Sequence, residues 1–325
     1  PGSIGSSMTR HAVFGGCLDS DLECSELALC DEPTPTWRLR TPGGAPEEEP
    51  SEYLGEDEVD PDIRVRLFRT GSGYSLRFDD TGEFRVSRGG TEIQWLPAAG
   101  ASVANARIDL LGRVLPLAMH QTGTVCLHGS AVELEAGAVG FIAAKFRGKS
   151  TMALALANAG ARLVTDDTIP IDPGPPARMR PGVHSLRLWS DSASRLSAVP
   201  ARGIQEGAKQ PFVAPADRVM DCPARLSAIY LLASIPEPRP AAVRRERLSE
   251  IHAALTLIRH AKLGPLLGRV ESAVLFRRAT SLARTVPVYL LEVVRDFGRL
   301  PEVVAQIMEW HRAPVETVHR AELTG

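Results

Sequence analysis

Residues 143–150 read A-x-x-x-x-G-K-S and are followed by Thr151. An apolar run, Ala138 to Ile142, precedes them, and the Ala- and Leu-rich stretch Ser150 to Asn158 follows. Periodicity and composition predict a buried strand for the first and a helix, stopped by Gly160, for the second. A loop passing from strand to helix gathers unpaired backbone N–H groups at the helix start, where the helix dipole adds partial positive charge. A polyphosphate fits such a spot. Gly148 allows close backbone approach, Lys149 sets an ammonium against the β- and γ-phosphates, and the Ser150 hydroxyl suits Mg²⁺. The pattern matches a phosphate-binding loop once Ala is admitted at its first small position. The candidate nucleotide-contacting set is therefore Ala143, Ala144, Lys145, Phe146, Arg147, Gly148, Lys149, Ser150 and Thr151. The bland alternative is a surface loop that happens to contain Gly-Lys-Ser.

Ala161 to Thr165 reads as a short apolar strand ending in Asp166 and Asp167. In a parallel sheet such a strand end opens onto the same crevice as the loop. One carboxylate can then hold Mg²⁺ while the other takes a proton from an attacking hydroxyl. The competing reading is a turn cap before Pro170. A strand over Thr124 to Leu134 puts His128 on one face with Cys126 and Ser130, because side chains alternate with period two. A strand histidine is commonly a satisfied half-buried residue. Its place one strand before the loop makes it a catalytic candidate.

Together these residues resemble the catalytic domain of HPr kinase/phosphorylase, in particular the HPr-kinase-related proteins of peptide-modifying biosynthetic clusters. The likeness rests on His128-Gly129, the A-x-x-x-x-G-K-S loop, and Arg162-Leu163-Val164-Thr165-Asp166-Asp167. The spacings are 21 positions from His128 to Lys149 and 17 from Lys149 to Asp166. The resemblance implies Asp167 as base or acid at the substrate hydroxyl, Asp166 as its metal-side neighbour beside Ser150, and His128 as a partner tuning them. It also raises the expectation of a homo-oligomer. The chain departs from the family in the loop, where Ala143-Ala144-Lys145-Phe146-Arg147 replaces glycines and small residues, and in lacking a Glu-Ile-Arg-Gly-like loop downstream. Pro181 to Trp189 resembles the related-kinase branch, so HPr itself is not the expected substrate.

The chain has 325 residues, 44% of them apolar, enough for one large or two modest domains. Its formal charge of −2 gives no argument for nucleic acid, and no apolar run reaches the roughly 18 residues of a membrane helix. Five cysteines at 17, 24, 30, 126 and 222 lack metal or disulfide spacing and fit free thiols in a reducing cytoplasm. Pro1 to Ser7 reads as an expression remnant.

Residues 1–60 are expected to be irregular, with an acidic, Pro-containing linker from Pro46 to Glu58 whose alternative reading is a docking segment. Residues 61–104 alternate in short runs broken by turn signals and predict a small, mostly antiparallel β domain. Residues 105–325 form the expected kinase-like unit, an α/β fold with a P-loop core sheet and flanking helices. Ile108 to Met119 predicts a helix that Pro116 kinks or shortens. Leu226 to Ala233 and Val286 to Val294 predict buried strands, with covering helices over Leu248 to Leu263 and Val270 to Thr285 and a closing helix over Leu300 to Trp310. Arg259, His260 and Lys262 read as surface charges complementing a helix dipole. Lys209, in a polar stretch, is a weak candidate for reaching phosphate.

The expected function is transfer of the γ-phosphoryl group of ATP, with Mg²⁺, to a hydroxyl, foremost Ser on a peptide or protein. Two alternatives stand beside it. One is a nucleotide- or peptide-binding module without catalysis, its cavity filled by an inward Phe146. The other is a kinase for a small-molecule hydroxyl on the same scaffold.

Overall fold

The computed structural model describes residues 8–43, 49–183, 185–188, 196, 210–213, 218–235 and 241–312. Eight strands come first: β1 (Thr9–Val13), β2 (Gly16–Ser20), β3 (Trp37–Arg40), β4 (Ser51–Asp60), β5 (Ile63–Thr70), β6 (Gly73–Phe78), β7 (Gly82–Ser87) and β8 (Glu92–Pro97). They form one sheet in the order β1-β2-β3-β8-β7-β6-β5-β4, antiparallel except where β3 joins β2 and β8. Alternation drives the predicted strands: β5 buries Val65 and Leu67 while Arg64 and Arg66, alternating with them, reach outward.

The expectation that residues 1–60 are irregular is corrected, since residues 9–60 supply half of this sheet. The acids of β4 hide a strand because its partner β5 is rich in arginine. Glu56 pairs with Arg64 at 2.6 Å and Glu52 with Arg69 at 2.7 Å across the ladder, while Asp57 meets Arg113 at 2.5 Å. Cross-strand charge complementarity supports this pairing together with the Tyr53–Phe68 ring contact across the ladder.

The predicted helix at 108–119 is divided. Helix α1 (Val103–Asp109) runs into a π-helical turn, Leu110–Val114, and then α2 (Leu115–Gln121), with Pro116 in the first turn of α2. Proline has no N–H to give an α-helical ladder, and the wider turn just before it absorbs that defect.

Asp109, at the end of α1, is buried and accepts a 2.6 Å hydrogen bond from the Thr81 hydroxyl. Burial pushes its pKa up to about 7 against the opposing Thr81 hydrogen bond, with Asp80 adding to the rise and Arg113 countering it. A raised carboxyl contributes stability fully below its unfolded value near 3.8, and that contribution is lost as pH climbs toward 7. Asp109→Asn should therefore flatten the fall in stability between pH 4 and about 7, gaining on the order of 1–4 kcal/mol over the parent at pH 8. Denaturant melts of both proteins at pH 5 and pH 8 check this; parallel pH dependences would contradict it.

The second part contains β9 (Val125–Leu134), β10 (Gly137–Ile142), α3 (Lys149–Asn158), β11 (Arg162–Thr165), β12 (Thr168–Asp172), β13 (Arg178–Met179), β14 (Ser185–Leu188), β15 (Gln210–Val213), β16 (Ala224–Ile235), β17 (Val243–Arg247), α4 (Glu250–Arg259), α5 (Arg269–Thr285), β18 (Val288–Val294) and α6 (Leu300–Trp310). The chain is thus a mixed α/β protein with two large sheets. The second sheet runs β10-β9-β12-β13-β16-β18-β17, with β11 also on β9 and β10 also on β16, while β14 and β15 pair separately.

This sheet is mixed rather than parallel. Strands β10, β16 and β18 are parallel, whereas β11 and β12 both pair antiparallel with β9. Its side chains sort by parity into two cores. Val139 and Phe141 pack with Leu156 of α3 and Val303 and Ile307 of α6, while Ala138 and Ile142 face the core shared with α2, α4, α5 and the first sheet. No helix among the described residues is long and apolar enough to cross a membrane, and the five cysteines form no disulfide. Lys209, His184 and Trp189 lie outside the described residues.

Candidate functional site

Strand β10 is apolar throughout and ends at Ile142, directly before the loop, and α3 begins at Lys149 with Gly148 as its N-cap. Gly148 sits at φ 86°, a left-handed conformation that glycine adopts without Cβ strain. Phe146 is also left-handed at φ 66°, and its ring points outward, 60% exposed. Residues 144–147 form the exposed crest of the loop, so Lys145 and Arg147 stand in solvent beside it. The inward Phe146 that would fill the loop is not the conformation found.

Lys149 is buried and its Nζ donates to the carbonyl oxygens of Ala143 and Ala144, both at 3.1 Å. The lysine therefore curls over the loop that precedes it. One residue on, the Ser150 hydroxyl donates to Asp166 Oδ1 at 2.9 Å, and the Ser130 hydroxyl of β9 donates to the same oxygen at 2.5 Å. Thr151 follows on the first turn of α3.

Asp166 and Asp167 follow directly on the end of β11 at Thr165, as expected, and the next strand starts at once at Thr168. They form a break between β11 and β12, which pair with successive stretches of the same partner, β9: Thr165 lies opposite Ala131 and Thr168 opposite His128. Asp167 adopts φ 67°, uncommon for a residue with a Cβ and costing about 1–2 kcal/mol. The break sends the two carboxylates to different partners. Asp166, 5% exposed, faces the serine hydroxyls. Asp167 keeps 47% of its side chain open, with Oδ2 2.5 Å from Lys262 Nζ and Oδ1 3.2 Å from His128 Nδ1.

Lys262 was missed as a site residue. The reading of it as a dipole-complementing surface charge is corrected, for its side chain is only 4% exposed. Residues 260–262 follow α4 and occupy the edge of β9 that β10 leaves free beyond Gly129. His128 N–H donates to His260 O at 2.8 Å, Lys262 N–H donates to Cys126 O at 2.9 Å, and Leu127 bridges Ala261. The one sequence signal was a lysine between Ala261 and Leu263, both buried. Arg259 does lie at the surface, and His260 is half-buried.

The electrostatics follow from this packing. Crowding by protein works to raise the Asp167 pKa, but the Lys262 charge and the His128 and Lys262 hydrogen bonds outweigh it and hold the carboxyl well below the ordinary aspartate value. Burial depresses His128, aided by the charges of Lys262 and Lys149 and opposed by its contact with Asp167, which favours a neutral imidazole at neutral pH. Burial, with Lys149, His128 and Arg259 nearby, lowers His260 to about 4. Lys262 is lowered by burial and partly restored by Asp167.

The sequence candidates thus gather where β10 ends and β11 breaks, Ser150 on Asp166 and His128 on Asp167, with the Lys149 charge near enough to act on His128. Among the described residues no group of three or more His, Cys, Asp or Glu side chains could hold a metal by itself. The Ser150 hydroxyl and the Asp166 carboxylate do fit a hard divalent cation such as Mg²⁺, which takes one or two protein oxygens and completes its shell with phosphate and water.

Phe146→Gly tests the loop. Relief of left-handed strain and the added backbone freedom of glycine are each about 1 kcal/mol and oppose each other. Stability should change by less than about 1 kcal/mol, because the ring stands in solvent and fills no internal space. Denaturant melts of parent and variant check this; a change well beyond about 1 kcal/mol in either direction would contradict it.

No protein-family model matches the chain, and no curated protein matches it in sequence. Among solved structures, the Hpr(Ser) kinase/phosphatase from Coxiella burnetii is a weak structural neighbour. The two are 15% identical with a TM-score of 0.31, the match covering 57% of this chain and 95% of that one.

Proposed function

We propose that this protein is an ATP-dependent kinase that transfers the γ-phosphoryl group to a hydroxyl, foremost a serine, of a peptide or protein. The observation that carries the reading is the split of the adjacent aspartates. Asp166 Oδ1 accepts a hydrogen bond from the Ser150 hydroxyl at the start of α3, just past the candidate phosphate loop, while Asp167 presents a half-open carboxylate beside it. Residues 105–325 are the proposed catalytic unit.

In this reading the N–H groups at the start of α3 and the Lys149 ammonium receive the β- and γ-phosphates. Lys149 exchanges its two carbonyl partners for phosphate oxygens. Ser150 and Asp166 would hold Mg²⁺, which would neutralise phosphate charge there. The open side of Asp167 accepts the hydrogen bond of the acceptor hydroxyl and aims its oxygen at the γ-phosphorus. The bond from acceptor oxygen to phosphorus forms as the bond to the β-phosphate bridging oxygen breaks. ADP leaves, and the hydroxyl proton passes to Asp167. Because such transfers are governed by positioning and charge neutralisation, a weakly basic carboxylate suffices.

One observation favours a second reading, a nucleotide-binding module without turnover: Lys262 and His128 hold Asp167 strongly in its ionised form, which makes it a poor base. Incubation with γ-labelled ATP, Mg²⁺ and a panel of serine-containing peptides separates the two. Label on a peptide serine supports the kinase. Saturable MgATP binding with no transfer to any peptide or to water supports the module.

A further inference from the structure

The Lys262–Asp167 contact joins parts of the chain 95 positions apart, and neither the loop nor the aspartate pair requires it. The lysine has little freedom. Its backbone N–H is bound to Cys126 O in β9, two residues from His128, and the preceding residues continue that pairing. The segment that follows is braced by the first sheet: a Cβ on Gly55 of β4 would lie 2.8 Å from Leu266 O and 2.9 Å from Pro265 O, so the two backbones are in direct contact. Leu263, Leu266 and Leu267 are buried in the core that the first sheet shares.

Asp167 Oδ2 is held by Lys262, and Oδ1 lies 3.2 Å from His128 Nδ1, which is also 3.2 Å from the main-chain oxygen of Asp167. A carboxylate with these contacts, on a backbone already fixed in a left-handed conformation, cannot rotate about its last bond without losing a contact. Removing either partner frees that rotation. Lys262 is the stronger constraint, being buried, charged and the shorter contact.

We propose that Lys262 is the positioning residue of the site: it fixes the plane of the Asp167 carboxylate so that the acceptor hydroxyl is presented in line with the γ-phosphorus, and the first sheet holds Lys262 in place. The inference rests on the kinase reading. It assigns Lys262 no contact with nucleotide and makes its effect on rate dependent on Asp167.

A double-mutant cycle tests this, using the full chain, MgATP as the probe and phosphate release to water or to a serine peptide as the rate. Lys262→Met should lower kcat by roughly 10- to 100-fold while MgATP affinity stays within about threefold, because Lys149 and Ser150 are untouched. In an Asp167→Asn background the same change should cost less than about threefold, since the group it positions is already lost. Ethylammonium added to Lys262→Ala should restore part of kcat, which a purely architectural loss would not allow. Full kcat in a folded Lys262→Met protein, or an equal loss in both backgrounds, would overturn the proposal. Lys262→Met leaves Asp167 without its buried counter-charge and risks failing to fold. The variant lacking both charges, Lys262→Met/Asp167→Asn, then decides: kcat matching Asp167→Asn supports the proposal, and a further tenfold loss overturns it. A parent that binds no MgATP defeats the kinase reading and this inference together, whereas an active parent beside an equally active Lys262→Met defeats the inference alone.

Discussion

Lys149→Ala should abolish measurable phosphoryl transfer and weaken MgATP binding by roughly 10- to 150-fold, the equivalent of one charged hydrogen-bonding group worth about 1.5–3 kcal/mol. The ammonium donates to the carbonyls of Ala143 and Ala144, at the foot of a loop whose crest is exposed. After truncation Ala144 is open to water but the buried Ala143 carbonyl loses a donor, so a modest fall in melting temperature should accompany the loss of transfer. Triphosphate affinity should fall more than diphosphate affinity, because the lysine is assigned to the β- and γ-phosphates together. Titration of ATP and ADP into parent and variant checks this. Equal affinities in the two proteins would remove the loop from the nucleotide site.

Asp167→Asn should cut the chemical step by about 10²- to 10⁴-fold, the usual range for loss of a general base, and leave MgATP affinity near that of the parent. Asn preserves the shape and can still accept from Lys262, but it takes no proton and bears no charge. Asp166→Asn should behave differently. It changes the oxygen that both Ser130 and Ser150 address, so its rate loss should come with a raised Mg²⁺ requirement. Rates measured across a Mg²⁺ series separate the two variants, and a Mg²⁺ shift in Asp167→Asn alone would exchange the roles assigned to the aspartates.

The parts of this arrangement legible in the sequence are those set by neighbours along the chain. The apolar run to Ile142, the Gly-Lys-Ser turn and the Ala/Leu helix specify strand, loop and helix by local pattern. Alternation in β9 likewise puts His128 and Ser130 on one face. What was not legible depends on distant partners. Strand β4 is stabilised by arginines on β5 and by Arg113 of the π-helical turn, so its own acids disguised it. The division of labour between Asp166 and Asp167 turns on one left-handed residue, for which adjacent identical side chains give no sign. Lys262 enters the site because β10 ends at Gly129's partner, Ile142, and leaves an edge of β9 for residues 260–262 to take. The sheet's mixed direction escaped notice for the same reason: β11 and β12 look like independent segments, yet they pair with one strand.

The central claim is that the loop 143–150 and Asp166 form a site for a nucleoside triphosphate with Mg²⁺. Calorimetric titration of ATP into the parent, with and without Mg²⁺ and alongside Lys149→Ala, measures it most directly. The account predicts saturable binding with one nucleotide per chain, strengthened by Mg²⁺ and lost or greatly weakened in the variant. Absence of saturable binding by the parent at millimolar ATP, or binding indifferent to both Mg²⁺ and Lys149, would contradict it.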